Sequence, residues 1–172
     1  MKTVKSGRLR ASYSLGSRPR GGGVSIPLPT YVQEDYHSCG FLAALTVARY
    51  FYPRVPDVDV LRAVRPGMGT GTPSERVVAG LAKVGVEATY RGDLCLCNLR
   101  GLVMMNIPTI ISVWPSEWPG DHWTVVRGFR SGRIYLTNHY SLTLDWFWTE
   151  WVTNWGDGAC TGAGLVCKKV GG

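Results

Sequence analysis

The chain has 172 residues, 45% of them apolar, enough for one domain with a real core and too apolar for disorder by composition. Its net charge is +7, but much of it sits at Lys2, Lys5, Arg8, Arg10, Arg18 and Arg20, with no acid among them; the remainder is close to neutral, so the charge does not argue for nucleic-acid binding by the folded part. No apolar run approaches the roughly 20 residues of a membrane-spanning helix, and the basic N-terminus lacks the apolar stretch of a secretory signal. A cytoplasmic protein with no membrane span is expected. Five cysteines, an odd number, fit reduced thiols better than a disulfide framework.

Residues 1–25 read as a basic arm rich in Gly, Arg and Ser, including "RPRGGG", with no apolar period. Such an arm could bind an acidic partner. Residues 26–172 read as the folded domain. From Ser38 the apolar residues recur at helical steps through Phe51, with Ser38 or His37 near the N-cap. Two prolines in "YPRVPDVD" end that helix. "VDVLRAV" is a short helix with Asp57 or Asp59 as its cap, and "RPGMGTGTP" is a loop. "SERVVAGLAKVG" is a third helix, with Gly85 as its C′ residue. The period then changes to 2. "VEATYRG" and "PTIISVW" are strands, and "HWTVVRGFRSGRIYLTNHY" is a hairpin turning at Ser131-Gly132. The same alternation in "DLCLCNL" puts Cys95 and Cys97 on one strand face. "LDWFWTEWV" is a short aromatic helix. Helices first and antiparallel strands second indicate an α+β fold with the helices packed on one side of the sheet.

The chemistry centres on "VQEDYHSCGFLAALTVARYF". Cys39 stands where a helix begins, and a helix N-terminus stabilises a thiolate. Gln33, six residues earlier, can fold its amide beside the Cys39 backbone N–H, making a two-donor oxyanion hole. The base must come from elsewhere. His122 opens a strand after the turn "WPGD", and Asn138 ends the next strand of the same hairpin, where it could accept the imidazole N–H and fix its tautomer. His37 and His139 read as surface or loop residues. Trp123 reads as a core strand residue that could also cover the site.

These segments resemble the papain-like cysteine peptidases, and most closely the bacteriocin-processing double-glycine peptidase family and its free-standing relatives. The resemblance rests on Q-x₅-C-G at Gln33 to Gly40, "GTPSERVVAGLAKVGVEA", "NLRGLVMMNIPTIISV", "HWTVVRGFRSGRIYLTNHYS" and the closing "LDWFWTEW", across residues 30–152. It implies a papain-like domain over 26–172, with Cys39 as nucleophile, His122 as general base and acid, Asn138 as orienting residue and Gln33 as oxyanion donor. The family reads Asp-Pro where this chain has Asn138-His139, and commonly an aspartate where it has Ser38.

The resemblance implies a cysteine peptidase cleaving after small residues, Gly-Gly among them, on a peptide or protein substrate. Two other functions fit the same residues. One is an acyl or peptidyl transferase, in which an amine or thiol resolves the acyl-enzyme. The other is a non-catalytic assembly or virion-associated protein that docks through its basic arm. Four thiolates, Cys95, Cys97, Cys160 and Cys167, could in principle hold zinc, but C-x-C and C-x₆-C are poor zinc spacings. No metal or cofactor is expected.

Overall fold

A computed structural model describes residues 23–33, 35, 37–67, 71–114, 122–137, 141–152 and 162–171. The expected first helix is α1, Cys39–Phe51; ten of its residues, Cys39 to Ala48, are buried in succession. Such burial all round makes it the central helix of the domain. The second helix is α2, Asp57–Val64. Pro56 caps it, and Asp57 and Asp59 lie in the first turn, where the helix dipole favours negative charge. An ion pair from Arg49 to Asp57 joins α1 to α2. The third is α3, Ser74–Lys83, followed by Gly85 at φ +81°, the left-handed C′ position expected of it.

Among the described residues, seven strands form one antiparallel sheet: β1 (Val24–Ser25), β2 (Val86–Leu94), β3 (Thr109–Val113), β4 (His122–Arg130), β5 (Arg133–Leu136), β6 (Ser141–Thr143) and β7 (Gly162–Lys169). The order is β2-β7-β3-β4-β5-β6, with β1 also paired to β4. The β4–β5 turn falls at Ser131 and Gly132, both at positive φ (48° and 69°), as a two-residue type I′ hairpin requires. β3 is buried along its whole length, its Thr109 and Ser112 included. The aromatic helix is α5, Leu144–Val152. Its Trp151 is fully buried and donates its indole N–H to the Ala163 carbonyl at 2.9 Å, fastening α5 to β7. The fold class expected from the sequence, α+β with helices packed on an antiparallel sheet, is the observed one.

Four features differ from expectation. Val24–Ser25, placed in the basic arm, pair with Phe129 and Gly128 of β4, while residues 1–22 lie outside the described residues. β7 was not expected at all, yet it is an interior strand, paired to β2 on one edge and β3 on the other. "DLCLCNL" is not a continuous strand. β2 ends at Leu94, Cys95 is an N-cap, and a helix, α4 (Leu96–Met104), follows. Cys95 Sγ accepts the Asn98 N–H and the Asn98 side chain accepts the Cys95 N–H, so the two close a capping box. Finally, Cys95 and Cys97 are joined in a disulfide (S–S 1.99 Å), which corrects the expectation of reduced thiols and occupies two of the four thiolates a zinc site would need. Alternation put the two sulfurs on one side; the helical turn brings them to bonding distance, with Cα atoms 5.3 Å apart.

Candidate active site

α1 begins at Cys39, so the cysteine occupies the first turn of the most buried helix. Ser38 is the N-cap residue, as expected, but its side chain makes no capping bond. The turn leading into the helix is instead held by Asp35, which sequence reasoning missed. One carboxylate oxygen of Asp35 accepts the backbone N–H groups of His37 and Ser38, both at 2.7 Å. Burial pushes the Asp35 carboxyl up, and these two N–H bonds, with the Ser38 side chain and the His37 charge, outweigh it, leaving the pKa below the ordinary carboxylate value. The signal was present as an Asx residue three positions before Ser38.

Gln33 is attached to the same turn. Its amide donates to the Asp35 carbonyl at 2.5 Å, and its own carbonyl oxygen is buried with no hydrogen-bond partner among the described residues. Asp35 therefore links Gln33 to the N-terminus of α1 through its carbonyl on one side and its carboxylate on the other.

Cys39 is 3% exposed. Burial is the largest influence on its thiol and raises the pKa above the ordinary value; the Asp35 charge adds to the rise. Hydrogen bonds from the main-chain N–H groups of Trp123, Gly40 and Cys39 itself act in the opposite direction, favouring the thiolate. The Trp123 bond carries the spatial information. Trp123 is the second residue of β4, so the Cys39 sulfur lies against the start of the strand that His122 opens. His122 is 2% exposed and is paired across the sheet with Val113. The next residue after Val113 is Trp114, half exposed.

Asn138 and His139 lie outside the described residues. The residue before them, Thr137, donates its N–H to the Val125 carbonyl at 3.1 Å and accepts the Val125 N–H on its hydroxyl at 3.3 Å. The chain thus leaves β5 running along β4 toward the His122 end.

A second neighbour of Cys39 was also missed. Thr72, 4% exposed and just ahead of α3, packs on Gly40: a Cβ at Gly40 would lie 2.6 Å from the Thr72 Cβ. Only glycine admits so close an approach. The Trp123 indole N–H donates to the Thr72 carbonyl at 2.8 Å. In the sequence this contact was hidden inside a loop of Gly, Pro and Thr without period.

No family model matches the chain, and no curated protein does. Solved structures do. A double-glycine-motif protease from an AMS/PCAT transporter, in complex with its leader peptide, is 20% identical at a TM-score of 0.63, with 88% of this chain and 96% of that one covered. The fold is that of the double-glycine peptidase domains. The peptidase domain of Streptococcus ComA, a bifunctional ABC transporter involved in quorum sensing, is 16% identical at a TM-score of 0.62, with 85% and 98% covered. A C39-like peptidase from Bacillus anthracis is 12% identical at 0.63, with 87% and 99% covered. In each case nearly the whole of the other chain is matched, so the shared fold is a complete domain. Among the described residues no helix is long and apolar enough to cross a membrane.

Proposed function

We propose that the protein is a cysteine peptidase that cleaves peptide bonds after small residues, Gly-Gly among them. Cys39 attacks the scissile carbonyl, and His122 takes the thiol proton and returns it to the leaving amine. Asn138 orients the imidazole. The Gln33 amide and the Cys39 main-chain N–H receive the oxyanion. Water then releases the acyl group from sulfur and restores the thiol. Because burial raises the Cys39 pKa, the thiol is held toward its neutral form at rest, and its proton passes to His122 as the sulfur attacks.

The observation that carries this reading is the meeting of two elements: Cys39 opens α1, and the main chain of Trp123, one residue from His122 at the start of β4, acts on its sulfur to favour the thiolate. An ordinary core thiol has no reason to sit on a helix N-terminus and a strand start together. The fold shared with a protease solved in complex with its leader peptide supports an extended peptide as substrate. A half-exposed Trp114 one residue beyond the Val113–His122 pair supports a cleft with an aromatic rim, suited to small residues at the cut. An acidic partner for the basic arm belongs to the same reading, to be tested by salt-sensitive binding of acidic peptides.

The test joins an electrophilic peptide probe to a peptide panel varying the residue before the cut. Labelling should fall on Cys39, and cleavage should favour Gly over bulky residues. Neither labelling of Cys39 nor cleavage of any peptide would leave a binding domain that kept the fold. A product that carries an added amine in place of a free carboxylate would convert the peptidase into a transferase.

A further inference from the structure

We propose that Trp123 is a positioning residue of the Cys39–His122 site, acting through Thr72; this rests on the peptidase reading above. Three segments distant in sequence meet at one point: the start of α1, the stretch before α3, and the start of β4. Trp123 bonds to two of them. Its main-chain N–H reaches the Cys39 sulfur, and its indole N–H reaches the Thr72 carbonyl at 2.8 Å. Thr72 in turn fills the space that a side chain at Gly40 would take, with its Oγ1 only 2.8 Å from the position of a Cβ there.

The circuit is closed: Cys39 to Trp123 by the sulfur, Trp123 to Thr72 by the indole, Thr72 to Gly40 by packing, and Gly40 to Cys39 by the peptide bond. Each contact fixes where the sulfur stands relative to the residue next to Trp123, which is His122. Among the described residues the Thr72 hydroxyl has no hydrogen-bond partner, although it is buried. The place of Thr72 therefore rests on packing and on the indole bond. Phe would fill much of the same space at position 123 but could not make that bond, so the indole N–H is the separable element.

An acyl transfer depends steeply on such placement; a misplacement of about 1 Å can cost roughly 10²-fold in rate. Trp123→Phe keeps an aromatic ring and the main-chain N–H but frees Thr72. The expected result is a kcat lower by about 10-fold or more with KM changed less than about 2-fold, because the peptide's own contacts are untouched. The pH profile of Cys39 alkylation by iodoacetamide should also move to higher pH, since a loosened Trp123 N–H no longer favours the thiolate. A purely structural role would lower the melting temperature and leave that profile in place.

Gly40→Ala provides the second arm, pushing Thr72 away from the opposite side. It should lower kcat by a similar factor, and the two changes together should cost less than the product of the two. Multiplicative effects would overturn the circuit, as would a folded Trp123→Phe protein with wild-type kcat and alkylation profile. If wild-type protein cleaves no peptide while its Cys39 profile still moves in Trp123→Phe, the peptidase reading fails and the brace stands. If wild type cleaves peptides and Trp123→Phe matches it, the brace alone fails.

Discussion

Two free cysteines are described, and both are buried, yet their surroundings differ in kind. Cys167 lies in β7 at 0% exposure; burial pushes its thiol up to about 12, and only the Ile110 main chain opposes the rise. Its sulfur donates to the Leu165 carbonyl at 3.4 Å. Cys39 is almost as buried, but three main-chain N–H groups aim at its sulfur, two of them at the start of a helix. Burial alone therefore does not distinguish the proposed nucleophile from a core thiol. What differs is how far the backbone opposes burial: three main-chain N–H groups favour the Cys39 thiolate against one at Cys167, whose sulfur also donates to a carbonyl.

The largest test of this contrast is Cys39→Ala, which should abolish covalent labelling by electrophilic peptides and all peptide cleavage while leaving the fold intact. Labelling of Cys167 in folded protein at neutral pH, at a rate near that of Cys39, would erase the distinction. Next in size is Gln33→Ala. An oxyanion donor acts on the transition state, so turnover should fall by roughly 10²-fold with little change in the Cys39 alkylation profile. A rate within about 2-fold of wild type would remove Gln33 from the site.

Cys167→Ala should spare activity and lower stability by about 1 kcal/mol through the small cavity left in the sheet. It should also change the alkaline limb of the stability curve. The native state holds this thiol neutral, with a pKa of about 12 against 9.0 for an unperturbed thiol, so its contribution is complete below pH 9.0 and is lost as pH rises toward 12. Chemical denaturation from pH 8 to 11 should show a gentler decline for Cys167→Ala than for wild type. The smallest effect belongs to Asp35→Asn, which keeps an oxygen acceptor at the head of α1 but removes a negative charge near Cys39. The Asp35 charge raises the Cys39 pKa, so the alkylation profile should shift modestly to lower pH. A shift to higher pH would mean that the geometry of the turn before α1, and not the charge, governs the thiol.

Elements with a clear period were legible in the sequence. α1, α2, α3, β2, β3, the β4–β5 hairpin and α5 all follow runs in which apolar spacing and boundary residues agree. β7 was not, because Gly162 and Gly164 weaken its opening, Lys168 and Lys169 its close, and only Leu165 to Cys167 form an apolar run; its neighbours on both edges, more than its own propensity, make it a strand. α4 was concealed by a cysteine in a capping position usually held by Ser, Thr, Asp or Asn. In the site, Cys39 was legible as a helix-start residue, and His122 as the residue that opens β4. The Asp35 turn was overlooked because attention fell on the residues adjacent to the helix. The Thr72–Gly40 contact joins segments with no shared pattern and could be found only in three dimensions.

The interior place of β7 bears on the order in which the molecule can be assembled. β2 and β3 are close in the chain, but they never touch as strands; a segment synthesised much later slides between them. Until residues 162–169 arrive, both strands present open edges with nothing to pair with, and closing them demands contacts of long sequence separation. A nascent chain ending before β7 has α1 and its cysteine already made and half of its sheet unfinished. Such a chain would be prone to aggregate, and slow completion of the sheet would set the pace at which the site becomes whole.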